Sequence, residues 1–199
     1  MDLPEKEYRT VEDLFAPVTL KVKGSKFITH VRHASDASKA EASYQSIKRK
    51  FHDATHNCYA YRIDRQIFRY SDDREPSGTA GKPIFHVIEG SHLYQILVVV
   101  TRYFGGTKLG TGGLIQAYST ATKMGLDAAK VRSVTKAKTV DIIFSYNKIP
   151  LVENIMNKFQ GTVIESEYKE LVHMMIAVPD KHVSAFQREI LPLIKVKEK

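Results

Sequence analysis

The sequence predicts an α+β protein built in two blocks, and three observations lead there. A near-continuous apolar strand, Leu93 to Phe104, runs into a glycine-dense segment and then a helix. A short, polar, basic stretch, Lys130 to Ala137, follows that helix and reads as a linker. Beyond it, residues 138–190 carry a βαββα order, the split-βαβ or ferredoxin-like plan. The expected organisation is therefore a first domain over 1–130, a linker over 131–137 and a second domain over 138–199.

The elements follow in order. Val18 to Val31 has strand character. Ser35 to Lys50 reads as a helix, with Ser38 and Glu41 placed for a capping box and Ala40, Tyr44, Ile47 and Phe51 on one face. Asn57 to Ile63 and Gln66 to Tyr70 read as strands joined by a turn at Asp64-Arg65. Ser71 to Pro83 reads as a polar loop bearing Gly and Pro. Leu114 to Ala129 is a helix whose apolar side carries Leu114, Ala117, Ala121, Met124 and Ala128. In the second block, Lys138 to Tyr146 alternates as a strand, and Pro150 to Phe159 is a helix stopped by Gly161. Thr162 to Tyr168 and Leu171 to Val178 form a hairpin. Asp180 is placed to cap a last helix to about Ile190, and a short final strand is expected at Ile194 to Lys197.

Composition excludes several classes. Cys58 is the only cysteine among 199 residues, so a disulfide scaffold and a zinc site of paired cysteines are ruled out. The longest apolar run, Ile96 to Val100, is far short of the roughly 20 residues of a membrane span. The N-terminal Met-Asp-Leu-Pro-Glu-Lys-Glu is acidic and has no apolar core, so a cytoplasmic protein without a secretory signal is expected. The net charge is +8. That is the footprint of a nucleic-acid or acidic-protein partner, and a lysine-rich solvated surface accounts for it as well.

Two loops carry candidate chemistry. Residues 100–114, Val-Thr-Arg-Tyr-Phe-Gly-Gly-Thr-Lys-Leu-Gly-Thr-Gly-Gly-Leu, place a glycine-dense loop between a buried strand and a helix start. Free backbone N–H groups and the positive end of a helix suit a phosphate there. Arg102 and Lys108 add charge, and Gly105, Gly106, Gly110, Gly112 and Gly113 allow close approach. It is not a Walker A loop, since Thr111 stands where Lys is required, nor a dinucleotide fingerprint, since Ile115 replaces the last Gly or Ala. The same glycines would equally serve a tight crossover and close helix–sheet packing.

The second loop, residues 71–83, offers Asp72, Asp73 and Glu75 to a hard cation and Ser77, Thr79 and Lys82 to an anion, or is a turn whose acids cap backbone amides. His52 and His56 have the spacing of a zinc-protease pair with Asp53 in place of Glu, but no third ligand follows. His56 and Cys58 share a strand face, so a thiol–imidazole pair is conceivable, against an inert buried thiol. No metal site and no cofactor are expected.

Lys-Gly-Ser-Lys-Phe-Ile (23–28), His-Asp-Ala-Thr-His-Asn-Cys (52–58), Asp-Asp-Arg-Glu-Pro-Ser-Gly-Thr-Ala-Gly-Lys-Pro (72–83) and the Arg-Tyr-Phe-Gly-Gly block within 99–114 resemble the signature blocks of the YigZ/IMPACT family. Arg74 departs from the pattern, standing where a Gly is common. The resemblance implies a first domain like the second domain of a small-subunit ribosomal protein and domain IV of elongation factor G. It implies a ferredoxin-like second domain similar to domain V of that factor. Nucleic-acid or ribosome binding is the usual inference for bacterial members.

The leading expectation is a non-enzymatic binding protein that regulates translation by contacting RNA or a ribosome-associated partner, with Lys82, Arg102 and Lys108 on phosphate. The alternative is a magnesium- and phosphate-dependent enzyme on a nucleotide or phosphorylated small molecule, with Asp72 and Glu75 on the metal. A protein-docking module is a third reading. The sequence does not give the oligomeric state.

Overall fold

The computed structural model describes Leu3 and residues 7–194. The chain divides into two compact units, the first over Tyr8–Val134 and the second beginning at Thr135.

The first unit is built on an antiparallel five-stranded sheet in the order β2-β3-β6-β4-β5. Its strands are β2 (Val18–Val22), β3 (Ser25–His33), β4 (His56–Arg62), β5 (Phe68–Ser71) and β6 (Ile96–Tyr103). The stretch read as one strand from Val18 is a hairpin. Lys23 (φ 45°) and Gly24 (φ 80°) make its two-residue turn, and both need the left-handed region. A strand β1 (Glu7–Val11) precedes it. β1 pairs with β7 (Val131–Thr135), the stretch expected to be a linker.

Helix α1 (Ala37–Lys50) covers one face and helices α2 (Gly81–Gly90) and α3 (Gly110–Ala128) the other. β6 shows why its sequence is continuously apolar. Ile96, Val98 and Val100 pack under α2 and α3, while Leu97 and Val99 pack under α1, so both faces are buried. α1 is capped by Asp36, which accepts from the Lys39 N–H at 2.8 Å, rather than by Ser38. α2 falls inside and beyond the stretch read as loop, and α3 begins four residues before Leu114, through the glycines.

In the second unit β8 (Ala137–Phe144), β9 (Thr162–Tyr168) and β10 (Val172–Pro179) form an antiparallel sheet in the order β8-β10-β9. Helices α4 (Ile149–Lys158) and α5 (Val183–Ile190) pack on one face, around Ile142, Phe144, Val152, Ile176 and Phe186. This is the ferredoxin-like plan. The left-handed residue that ends α4 is Gln160 (φ 57°) rather than Gly161, whose N–H donates to the Met156 carbonyl at 2.8 Å. Asp180 does not cap α5. It opens a 3-10 turn, and its Oδ1 is buried without a partner. The strand expected at Ile194 to Lys197 extends outside the described residues.

One buried histidine makes folding pH-dependent. His30 on β3 is 4% exposed and its ring lies 4.9 Å from that of Phe51. Burial first, then Arg32 and Lys50, push its imidazole down to about 4. An unfolded histidine titrates near ~6.5, so between those values the unfolded chain binds the extra proton. Stability is therefore lost as pH falls from about 6.5 to about 4, by at most roughly 3 kcal/mol. Denaturant midpoints taken across that range should fall for the wild type and fall less for His30→Gln. Parallel profiles would contradict the assignment.

Candidate functional site

The two loops singled out in the sequence meet in space, and a buried ion pair joins them. Arg102 ends β6 and Glu75 lies in the loop before α2. Arg102 Nη1 donates to Glu75 Oε1 at 2.6 Å, with both side chains about 5% exposed or less. The Tyr118 hydroxyl of α3 donates to the same oxygen at 2.7 Å. Arg102 Nη2 donates to Ser25 Oγ at 3.3 Å, and Ser25 Oγ accepts from the Gly105 N–H at 3.2 Å. The guanidinium also lies 5.5 Å from the rings of Phe27 and Phe104. Arg102 thus ties the β2–β3 hairpin, the glycine loop, the acidic loop and α3 together. Expected on phosphate, it is instead buried and neutralised by Glu75.

The acidic loop is equally committed. Asp72 Oδ1 accepts from the Ala80 and Gly81 N–H groups at 3.0 and 2.8 Å, and Oδ2 from Gly78 at 2.8 Å. It is the cap of α2, supplied from eight residues before the N-cap position. Asp73 accepts from the Asn57 N–H at 2.7 Å and faces Lys48 Nζ at 3.2 Å. Thr79 Oγ1 donates to the Pro76 carbonyl at 2.7 Å, while Ser77 is exposed. Arg74 sits at φ 73°, which is why a glycine suits that position. Among the described residues no group of three or more His, Cys, Asp or Glu is arranged to hold a metal ion.

His52 and His56 do not share a helix face, since α1 ends at Lys50, His52 lies in the turn that follows and His56 begins β4. His56 Nδ1–H donates to the Asp73 carbonyl at 2.8 Å, and Nε2 lies 3.8 Å from Glu75 Oε2. Cys58 is fully buried and bonds the Asp72 carbonyl at 3.0 Å and the Tyr118 hydroxyl at 3.3 Å. Burial pushes the Cys58 thiol and the Tyr118 phenol up, so both stay protonated. No activated thiol exists here.

The glycines differ in what requires them. A Cβ on Gly105 would lie 1.9 Å from the carbonyl carbon of Gly24, and one on Gly81 2.7 Å from the Ser71 backbone. These two are packing glycines. Gly106 (φ 85°) and Gly110 (φ 73°) are required by backbone conformation. A Cβ on Gly113 would meet Leu109 Cβ at 3.1 Å, a tight contact to which the Leu109 side chain would have to yield. Gly112 is different. It is helical and exposed, with nothing within 4 Å of a Cβ. Neither packing nor φ demands glycine there, although glycine costs a helix about 0.5–1 kcal/mol against alanine.

Beside this bare helix start lie Lys108, expected on phosphate from the sequence, and Lys23, to which the sequence reading gave no role. Lys23 lines a cleft of about 200 Å³ with Leu109, Gly113 and Gln116. Lys26 stands directly opposite Lys21 across β2–β3, a like-charge pair that is unfavourable by itself. Lys21, Lys23, Lys26, Lys82 and Lys108 are all exposed, and none has an ion-pair partner among the described residues. The hairpin lysines were legible only as part of a motif block. Their place beside the glycine loop comes from the Gly24–Gly105 contact.

Comparison with known proteins agrees with this architecture. Residues 23–126 match the Impact N-terminal domain, and residues 142–191 match a domain of unknown function, DUF1949. The chain is 34% identical over 181 residues to the IMPACT family member YigZ of Escherichia coli, covering 88% of this chain and 89% of that one. It is 37% identical over 167 residues to the IMPACT family member YvyE of Bacillus subtilis, covering 83% and 77%. A solved structure described as that of a hypothetical protein is 30% identical, covers 98% of this chain and all of that one, and superposes with a TM-score of 0.66. No described helix is long and apolar enough to cross a membrane. With matched domains spanning most of its length and relatives this similar end to end, the chain belongs to the IMPACT family.

Proposed function

We propose that this chain is a non-enzymatic regulator that contacts RNA of the translation machinery through the glycine-loop surface. The observation that carries the reading is Gly112, an exposed helical glycine with no structural need, flanked by cations without carboxylate partners. A helix start without a Cβ lets a phosphate approach the free N–H groups, and Lys23, Lys26 and Lys108 supply the charge. Lys82, on the first turn of α2, is a further exposed cation for the same partner. Arg102 has a different role. It fixes the loop from beneath. The net charge of +8 supports the same reading.

The magnesium-dependent alternative loses its ligands. Asp72 spends both carboxylate oxygens on backbone N–H groups, and Glu75 is paired with Arg102 and Tyr118.

Fluorescence anisotropy with a labelled ribosomal RNA fragment, from about 50 to about 200 mM salt, tests the proposal. Wild-type affinity should fall steeply with salt. Lys108→Ala and Lys23→Ala should each weaken binding and flatten the log–log slope by roughly 0.7–0.9. Absence of binding at low salt, or binding indifferent to salt and to both lysines, overturns it.

A further inference from the structure

On the α1 face of the sheet, away from α2 and α3, lies a second cleft. It encloses about 380 Å³, and its walls include Phe15, His30, Arg32, Ser46 and Lys50, with Asp13 at one side. That volume is in the range of small-ligand sites.

Four features of this cleft are unexplained by folding alone. His30 is 4% exposed, and its Nε2 is buried with no hydrogen-bond partner. Such an orphan costs about 1–3 kcal/mol and is uncommon in a folded chain. Lys50 has no carboxylate partner among the described residues and rests 5.8 Å from the Phe51 ring centre. Arg32 is only partly compensated. Its Nη1 donates to the Leu14 and Val31 carbonyls, and its Nε is 3.9 Å from Asp13. Two cations and one carboxylate therefore line the cleft together with a buried imidazole. At the same wall Phe15 is 92% exposed, a large apolar ring held in water beside a polar cavity.

We propose that this cleft binds a phosphate monoester carrying a flat aromatic body, of which a nucleoside monophosphate is the simplest case. The phosphate sits between Arg32 and Lys50, with the Ser46 hydroxyl in reach of the same space. The ring of His30 closes the floor, so its signals report on what occupies the cleft. The base lies against Phe15. This surface is separate from the glycine loop, so its fate is independent of the RNA proposal.

The test is titration of the full chain with AMP, adenosine and inorganic phosphate, read by calorimetry and by the histidine ring NMR signals. AMP should bind and shift the His30 signals, with adenosine and phosphate each at least about tenfold weaker. Lys50→Ala and Phe15→Ala change exposed side chains and should leave the fold intact. The first should weaken AMP about tenfold. The second should weaken AMP and leave phosphate binding unchanged. Lys108→Ala should change nothing. A short RNA with and without a 5′-phosphate separates the sources. If only the phosphorylated form shifts His30, the ligand is an RNA end, and if neither does while AMP does, it is a free nucleotide. Unmoved His30 signals at millimolar AMP overturn the proposal, as does AMP binding indifferent to both variants.

Discussion

Replacing Glu75 by Ala is expected to destabilise the first unit by about 3–5 kcal/mol, which is large against the stability of an ordinary domain. The variant strands the Arg102 guanidinium where its side chain is 5% exposed. Water cannot solvate the orphaned charge, and Tyr118 loses its acceptor at the same time. Arg102→Ala should cost a similar amount from the other side. The double variant Glu75→Leu/Arg102→Met should cost much less than the sum, since no buried charge is left. Urea unfolding of the four chains measures this. Single variants within about 1 kcal/mol of wild type would show that the pair does not hold the loops together. The functional consequence is indirect. RNA affinity should fall in the single variants because the glycine loop loses its anchor through Ser25, although neither residue touches the partner.

Gly105→Ala is the second large effect. The added methyl would lie 1.9 Å from the Gly24 carbonyl carbon and 2.2 Å from the Ser25 nitrogen. Both are backbone atoms, so no side chain can swing aside. The hairpin must move away from the loop, breaking the Gly105 N–H to Ser25 Oγ bond. The expected cost is roughly 3 kcal/mol. Thermal unfolding of the variant checks it, and a midpoint equal to that of wild type would contradict the close packing. Gly106 and Gly110 should also dislike alanine, for their left-handed backbone rather than for space.

The sequence was most legible where chemistry is local. The continuous burial of β6, the apolar face of α1 and the hairpin of the second unit follow from residues that are neighbours in the chain. The failures have a common physical cause. α2 was hidden because Gly81 and Pro83 read as loop residues, while its cap, Asp72, sits eight residues before the N-cap position. Pro83 is tolerated there because the first turn of a helix needs no N–H partner. β7 read as a linker because its residues are polar, and only its pairing with β1, more than a hundred residues earlier, makes it a strand. Arg102 read as a free cation because its partner is 27 residues away. The glycines could not be sorted into packing and exposed kinds without knowing that Gly24 lies against Gly105.

Gly112 separates folding from function most cleanly. If the helix start is bare so that an anionic partner can approach, Gly112→Ala should leave folding unharmed, or stabilise it by up to about 1 kcal/mol. RNA affinity should nevertheless drop roughly tenfold at fixed salt. The measurement is paired: urea unfolding and RNA anisotropy on one preparation. Equal or greater stability with weakened binding is the predicted result. Equal or greater stability with unchanged binding would contradict the glycine-loop surface as the point of contact.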